Sequence, residues 1–188
     1  MELDARGPPL GAGAVAQAGL PIPNRLPILS LDVRGRACAL RASAVREVLP
    51  LPRLHRPPEA PAALAGFMDV GGAVVPVVRL DVLLGLAGED DADLFYGHVV
   101  RLRQDAAGGR VGLLVDRVTA MRSVSPDDLL PMRDDQSLNG LVEAEISDDG
   151  ALTSLLAADR LLLEHERAAL AQWSRRVAER AAQWSPAP

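Results

Sequence analysis

The sequence contains no lysine, since all 20 of its cationic residues are arginine. Every mechanism that needs a lysine amine is therefore closed to it, including a Walker-A phosphate lysine, a kinase strand lysine and a pyridoxal Schiff base. Cysteine is nearly absent too: Cys38 stands alone, so it forms no intrachain disulfide and has no second thiol at metal-ligand spacing. A lone thiol suits a reducing compartment, and a cytoplasmic location is expected. Aromatic residues make up 3% of the chain, and both tryptophans, Trp173 and Trp184, fall near its end. Cationic excess is missing as well. With 25 acidic residues the net charge is −5, a field that repels phosphate backbones, so no nucleic acid partner is expected.

No apolar run approaches the roughly 20 residues that a membrane span needs. Residues 7–24 are uncharged and superficially resemble an export signal. Glu2 and Asp4 make the preceding segment acidic where such signals are cationic, and Pro8, Pro9, Gly11 and Gly13 break any apolar helix. Residues 1–26, dominated by Gly, Ala and Pro without periodicity, are expected to be a flexible leader.

What is present reads mainly as β structure. The 188 residues are 48% hydrophobic and 24% charged, enough for one domain or two small ones. From Ile28 onward, short Val- and Leu-rich runs are separated by Gly or Pro. They predict strands over 28–33, 36–41, 45–51, 66–70, 73–78, 95–101, 110–115, 117–124, 141–146 and 151–156. Arg34-Gly35 and Gly71-Gly72 sit at tight-hairpin spacing, where glycine supplies positive φ. Ten short strands of this spacing argue for small barrels rather than a parallel α/β sheet. A weak internal echo, in which residues 35–40 and 45–48 resemble 109–114 and 115–118, favours two barrels over one. From about Ala158 the texture becomes that of one long helix. Leu163, Leu170, Val177 and Trp184 recur every seven residues, with Trp173 beside them. That stripe either packs on the chain's own barrels or docks on a partner. The enrichment of tryptophan at interfaces makes Trp173 and Trp184 candidate contacts.

Catalytic constellations find no footing. No G-x-S-x-G surrounds any serine. The run His165-Glu166-Arg167-Ala168-Ala169 lacks the second histidine of a zinc helix, and His55 and His98 read as surface or packing residues. The acidic runs 89–93 and 134–135 lack EF-hand spacing and read as solvated loops. No catalytic residue, metal or cofactor is expected.

Four segments carry a resemblance: Val45-Arg46-Glu47-Val48-Leu49-Pro50, then residues 66–80, then Val111-Gly112-Leu113-Leu114-Val115-Asp116-Arg117-Val118, then Leu155 to Leu162. In this order and spacing they resemble the chemotaxis coupling protein family, CheW, over about residues 28–163. The resemblance implies two SH3-like five-stranded β-barrel subdomains, the CheW-like domain covering 27–163. With the helix read from the residues, the expected fold is mainly β with a long C-terminal α-helix, and 164–188 form a helical extension. It also implies a non-enzymatic adaptor that bridges the cytoplasmic tip of a chemoreceptor and the regulatory domain of a CheA-type histidine kinase, reaching the membrane only through receptors. An alternative is a divergent adaptor in another chemosensory pathway, such as surface motility, gene regulation or array localisation. By matched position, Val45, Glu47 and Val48 fall on a receptor-contact segment, and Val118 to Met121 on a second-barrel segment facing the same groove. Asp69 and Gly71 stand where the family has asparagine and arginine, and Arg79 where it has an acid. Glu47, as an exposed strand-end charge, is expected to matter little to stability.

Overall fold

The computed structural model describes residues 25–86, 97–103, 110–132, 140–148 and 150–184. The leader up to residue 24, both acidic runs and the start of the strand expected at Phe95 lie outside these. β1 (Leu26–Val33) and β2 (Arg36–Arg41) form the first hairpin. Its turn holds Arg34 and Gly35 at φ 52° and 74°, and Asp32 Oδ1 accepts from Gly35 N at 2.9 Å. The chain then crosses to a second sheet made by β3 (Val45–Pro50), β4 (Leu64–Val70), β5 (Ala73–Arg79), β6 (His98–Leu102) and β7 (Gly112–Val115). A short helix, α1 (Leu80–Leu83), follows β5. β8 (Arg117–Val124), β9 (Leu129–Pro131), β10 (Val142–Asp148) and β11 (Ala151–Leu156) return to the first sheet, and α2 (Glu164–Trp184) ends the described chain.

The sheets run β8-β1-β2-β11-β10-β9 and β3-β6-β7-β5-β4. Six strands rather than five make the first one. The addition is β9, three residues long and therefore too short to show a period, set up by a capping turn at Ser125 to Asp128. β2 pairs in parallel with β11, and β7 in parallel with β5. The internal echo thus falls on strands with corresponding places: β2 and β7 are third in their sheets, and β3 and β8 are edges. Pro76 sits inside β5, opposite Phe67 of β4. Its missing N–H is tolerated because the ladder to β7 spans only Val77 to Arg79. Gly112 is required by close packing, since a Cβ there would meet Val99 Cγ1 at 2.7 Å.

Apolar side chains fill the body in tiers. A central core joins both sheets, with Leu29, Leu31 and Leu40 meeting Val100, Leu113 and Leu80. Ile28, Ala39, Ile146 and Leu155 fill the six-stranded sheet, and Val75, Val77, Val99 and Leu114 the five-stranded one. A fourth cluster seats α2 on the five-stranded sheet through Leu170, Leu64, Phe67 and Val78. The helix begins at Glu164 rather than near Ala158. Leu161 and Leu162 are 3% and 7% exposed, and burying two consecutive side chains in different clusters takes that segment out of helical phase. Glu166 then accepts from Leu163 N at 2.8 Å, half of a capping box that starts the helix.

Candidate functional site

Two edge strands carry the first group of candidate residues. β3 bonds to β6, and β8 to β1. Each ladder contains one extra residue: Arg46 between Val45 and Glu47, and Thr119 between Val118 and Ala120. Residues three apart in a regular strand face opposite sides, and a bulge returns them to the same side. Val45 and Val48 therefore stand opposite Leu102 and Val100, while Val118 and Met121 stand opposite Leu31 and Leu29. All four lie on the faces that enclose the central core. Val45 is buried, Val48 and Val118 are half-buried, and Met121 is 66% exposed. Val45, Val48 and Val118 share the central cluster, and Met121 carries the β8 side of this apolar rim on into solvent.

Glu47 differs from its expected setting. It is half-buried, and its carboxylate pairs with Arg101 of β6, whose side chain is 8% exposed. Removing the carboxylate would strand a buried guanidinium, so Glu47 supports the sheet as well as marking its edge. The sequence reading missed Arg101, although an arginine inside the apolar run HVVRL was a visible signal of a buried partner.

A second set of charges locks the sheets together. Asp81 of α1, whose side chain is 6% exposed, accepts from Arg79 Nη2 at 2.8 Å and from Arg34 Nε at 3.1 Å. Arg34 belongs to the other sheet's hairpin, and its backbone N donates to Asp116 Oδ2 at 2.6 Å. Burial alone would push the Asp81 carboxyl up, yet the hydrogen bonds from Arg79 and Arg34 outweigh it and hold the group below its ordinary 3.8. Arg79, in the family's acidic position, thus has its acid two residues on.

Asp69 and Gly71 occupy the β4–β5 hairpin. Gly71 and Gly72 have φ 62° and 80°, and Asp69 Oδ1 accepts from Gly72 N at 2.9 Å. The turn repeats that of β1–β2, where an arginine fills the position Gly71 leaves open. Trp173 lies half-buried on the five-stranded sheet beside Val177. Asp69 and Trp173 line one groove, apart from the β3 and β8 rim. The side chain of Trp184 lies outside the described residues. Among those described, no group of three His, Cys, Asp or Glu is placed to hold a metal ion, and no helix is long and apolar enough to cross a membrane.

Two β sheets sharing a core, each with a bulged edge strand, define a small two-sheet β module. Residues 27–166 match the family model of the CheW-like domain, and the chain belongs to that family. A relative, Chemotaxis protein CheW of Rhizobium meliloti (strain 1021), is 28% identical over 144 residues, covering 76% of this chain and 90% of the relative. The solved structure of scaffolding protein TtCheW from Thermoanaerobacter tengcongensis superposes with a TM-score of 0.63 at 18% identity, covering 71% of this chain and 89% of that one. The last likeness shows a shared fold.

Proposed function

We propose that the chain is a chemotaxis adaptor that couples the cytoplasmic tip of a chemoreceptor to the regulatory domain of a CheA-type histidine kinase, at cytoplasmic receptor arrays. Members of its family are scaffolds rather than enzymes. The observation that carries the reading is the apolar rim: matching bulges in β3 and β8 turn Val45, Val48, Val118 and Met121 onto the faces that close on one core. An exposed methionine on the same β8 face as half-buried Val118 supplies adaptable apolar contact for a partner helix or strand.

The test is co-purification of the full chain with the kinase regulatory domain and a receptor cytoplasmic fragment from the same genome. Met121→Glu should weaken capture about tenfold or more, as expected for a charge at an apolar contact. Its melting temperature should hold, because the residue is 66% exposed. Failure of the unaltered chain to retain either partner, while a control coupling protein does, would sink the reading. Glu47→Gln is the safer companion variant, since its amide oxygen still accepts from Arg101. One observation favours the alternative of a divergent adaptor in another chemosensory pathway: the β4–β5 tip at Gly71 meets open space and presents no side chain.

A further inference from the structure

Between α2, the β4–β5 strands and the proline-bearing segment before β4 runs a groove of about 800 Å³. Phe67 and Val74 form its floor, and Trp173 and Val177 one wall. The opposite wall, residues 55–58, is held against the sheet by paired hydrogen bonds between His55 and Phe67 at 2.8 and 2.9 Å. The lining is apolar, but its edges are cationic. Arg56, Arg176 and Arg180 border it against one carboxylate, Asp69, which the hairpin turn already engages. In a chain of net charge −5 this groove carries three positive groups against one negative, a local reversal of sign.

The helix arranges this by spacing. Trp173 and Val177 are four apart, as are Arg176 and Arg180, so the two pairs form adjacent rows along one face. Neither Arg176 nor Arg180 has an ion-pair partner among the described residues. Arg56 donates to the Pro61 carbonyl at 3.4 Å, at the long limit of a hydrogen bond. Guanidinium groups fork onto carboxylates, and flanking an apolar slot they match a ligand with apolar side chains on one side and acids on the other.

We propose that this groove binds an acidic, amphipathic peptide segment of a partner protein, its apolar side chains over Phe67, Val74 and Trp173 and its carboxylates on Arg176, Arg180 and Arg56. The site is separate from the β3 and β8 rim. Charge complementarity selects the ligand, and the concave, walled shape favours a peptide over a flat lipid surface.

The test uses the full chain carrying Trp184→Phe, so that Trp173 is the sole indole. A short synthetic peptide of glutamate, leucine and phenylalanine should produce a saturable change in Trp173 emission. Arg176→Glu with Arg180→Glu should weaken that binding at least tenfold without moving the melting temperature, and raising the salt from about 0.05 to 0.5 M should weaken it too. The same peptide with lysine for glutamate should give no change. Retention of kinase and receptor through the rim should be unaffected in the double variant, which separates failure here from failure of the adaptor reading. Four outcomes overturn the proposal: no saturable change, equal binding by the double variant, equal binding of the lysine peptide, or an emission change with phosphatidylglycerol vesicles but not with peptide. An emission change that follows protein concentration alone, marking a second copy as the occupant, would overturn it as well.

Discussion

At the scale of single residues, the charges on β5 and α1 carry more of the structure than their positions in the sequence suggest. Asp81 serves two arginines from different sheets while almost completely buried. Removing one member of such a set leaves the others uncompensated, which costs about 3–5 kcal/mol. Asp81→Asn should therefore lower stability at neutral pH by roughly 3 kcal/mol, read as a fall in the urea midpoint with unchanged slope. The pH dependence has a definite sign. Because the folded-state pKa lies below 3.8, the unfolded chain takes up the proton first as pH falls. The contribution is complete well above 3.8 and is lost as pH drops through the folded value. Wild type and Asp81→Asn should thus converge in melting temperature toward pH 2 and diverge above pH 5; a constant gap across that range would refute the assignment. None of this was legible beforehand, since Arg34, Asp81 and Asp116 lie 47 and 35 residues apart in successive order along the chain.

At the scale of elements, strands were legible and edges were not. Alternating Val and Leu runs with Gly-bearing turns marked every strand but β9. Glycine placement marked the two hairpins, because positive φ is cheap for little else. The bulges left no such trace: Arg46 and Thr119 look like ordinary strand residues, and only the opposing register shows each to be the extra one. The helix was legible in kind but began six residues late. α2 draws its stability from Leu170, 8% exposed, packed with Leu64, Phe67 and Val78. Leu170→Ala should cost about 2–5 kcal/mol, measurable by denaturant unfolding. Leu163→Ala should cost little, because that member of the seven-residue repeat is 59% exposed. Equal losses at the two positions would mean that the helix does not pack as described.

At the scale of the whole molecule, the chain interleaves its sheets rather than building one after the other. β1 and β2 wait for β8 to β11, while β3 to β7 form the other sheet between them. Neither sheet can be completed locally, and the central core takes side chains from both. Unfolding should accordingly be a single cooperative transition. Two probes sit on different sheets: Trp173 against the outer face of the five-stranded one and Cys38 on β2, facing the central core. Burial pushes the Cys38 thiol up to about 11, so labelling at pH 8 requires opening. In the Trp184→Phe chain, Trp173 emission and Cys38 labelling should report the same denaturant midpoint, and separated midpoints would show that the sheets unfold independently.

The sequence by itself determined the class of fold, the positions of nearly all strands and the family, because periodicity, turn chemistry and ordered motifs are local properties of the chain. It also placed Val45, Val48, Val118 and Met121 as candidates through matched motifs. Tertiary structure alone decided that bulges turn Val45 with Val48, and Val118 with Met121, onto faces of one core, that Glu47 holds a buried arginine, and that Asp69 and Trp173 line one cationic groove. Those facts depend on register and on contacts between segments distant along the chain, where the free energy of one side chain is set by partners that its own neighbourhood does not name.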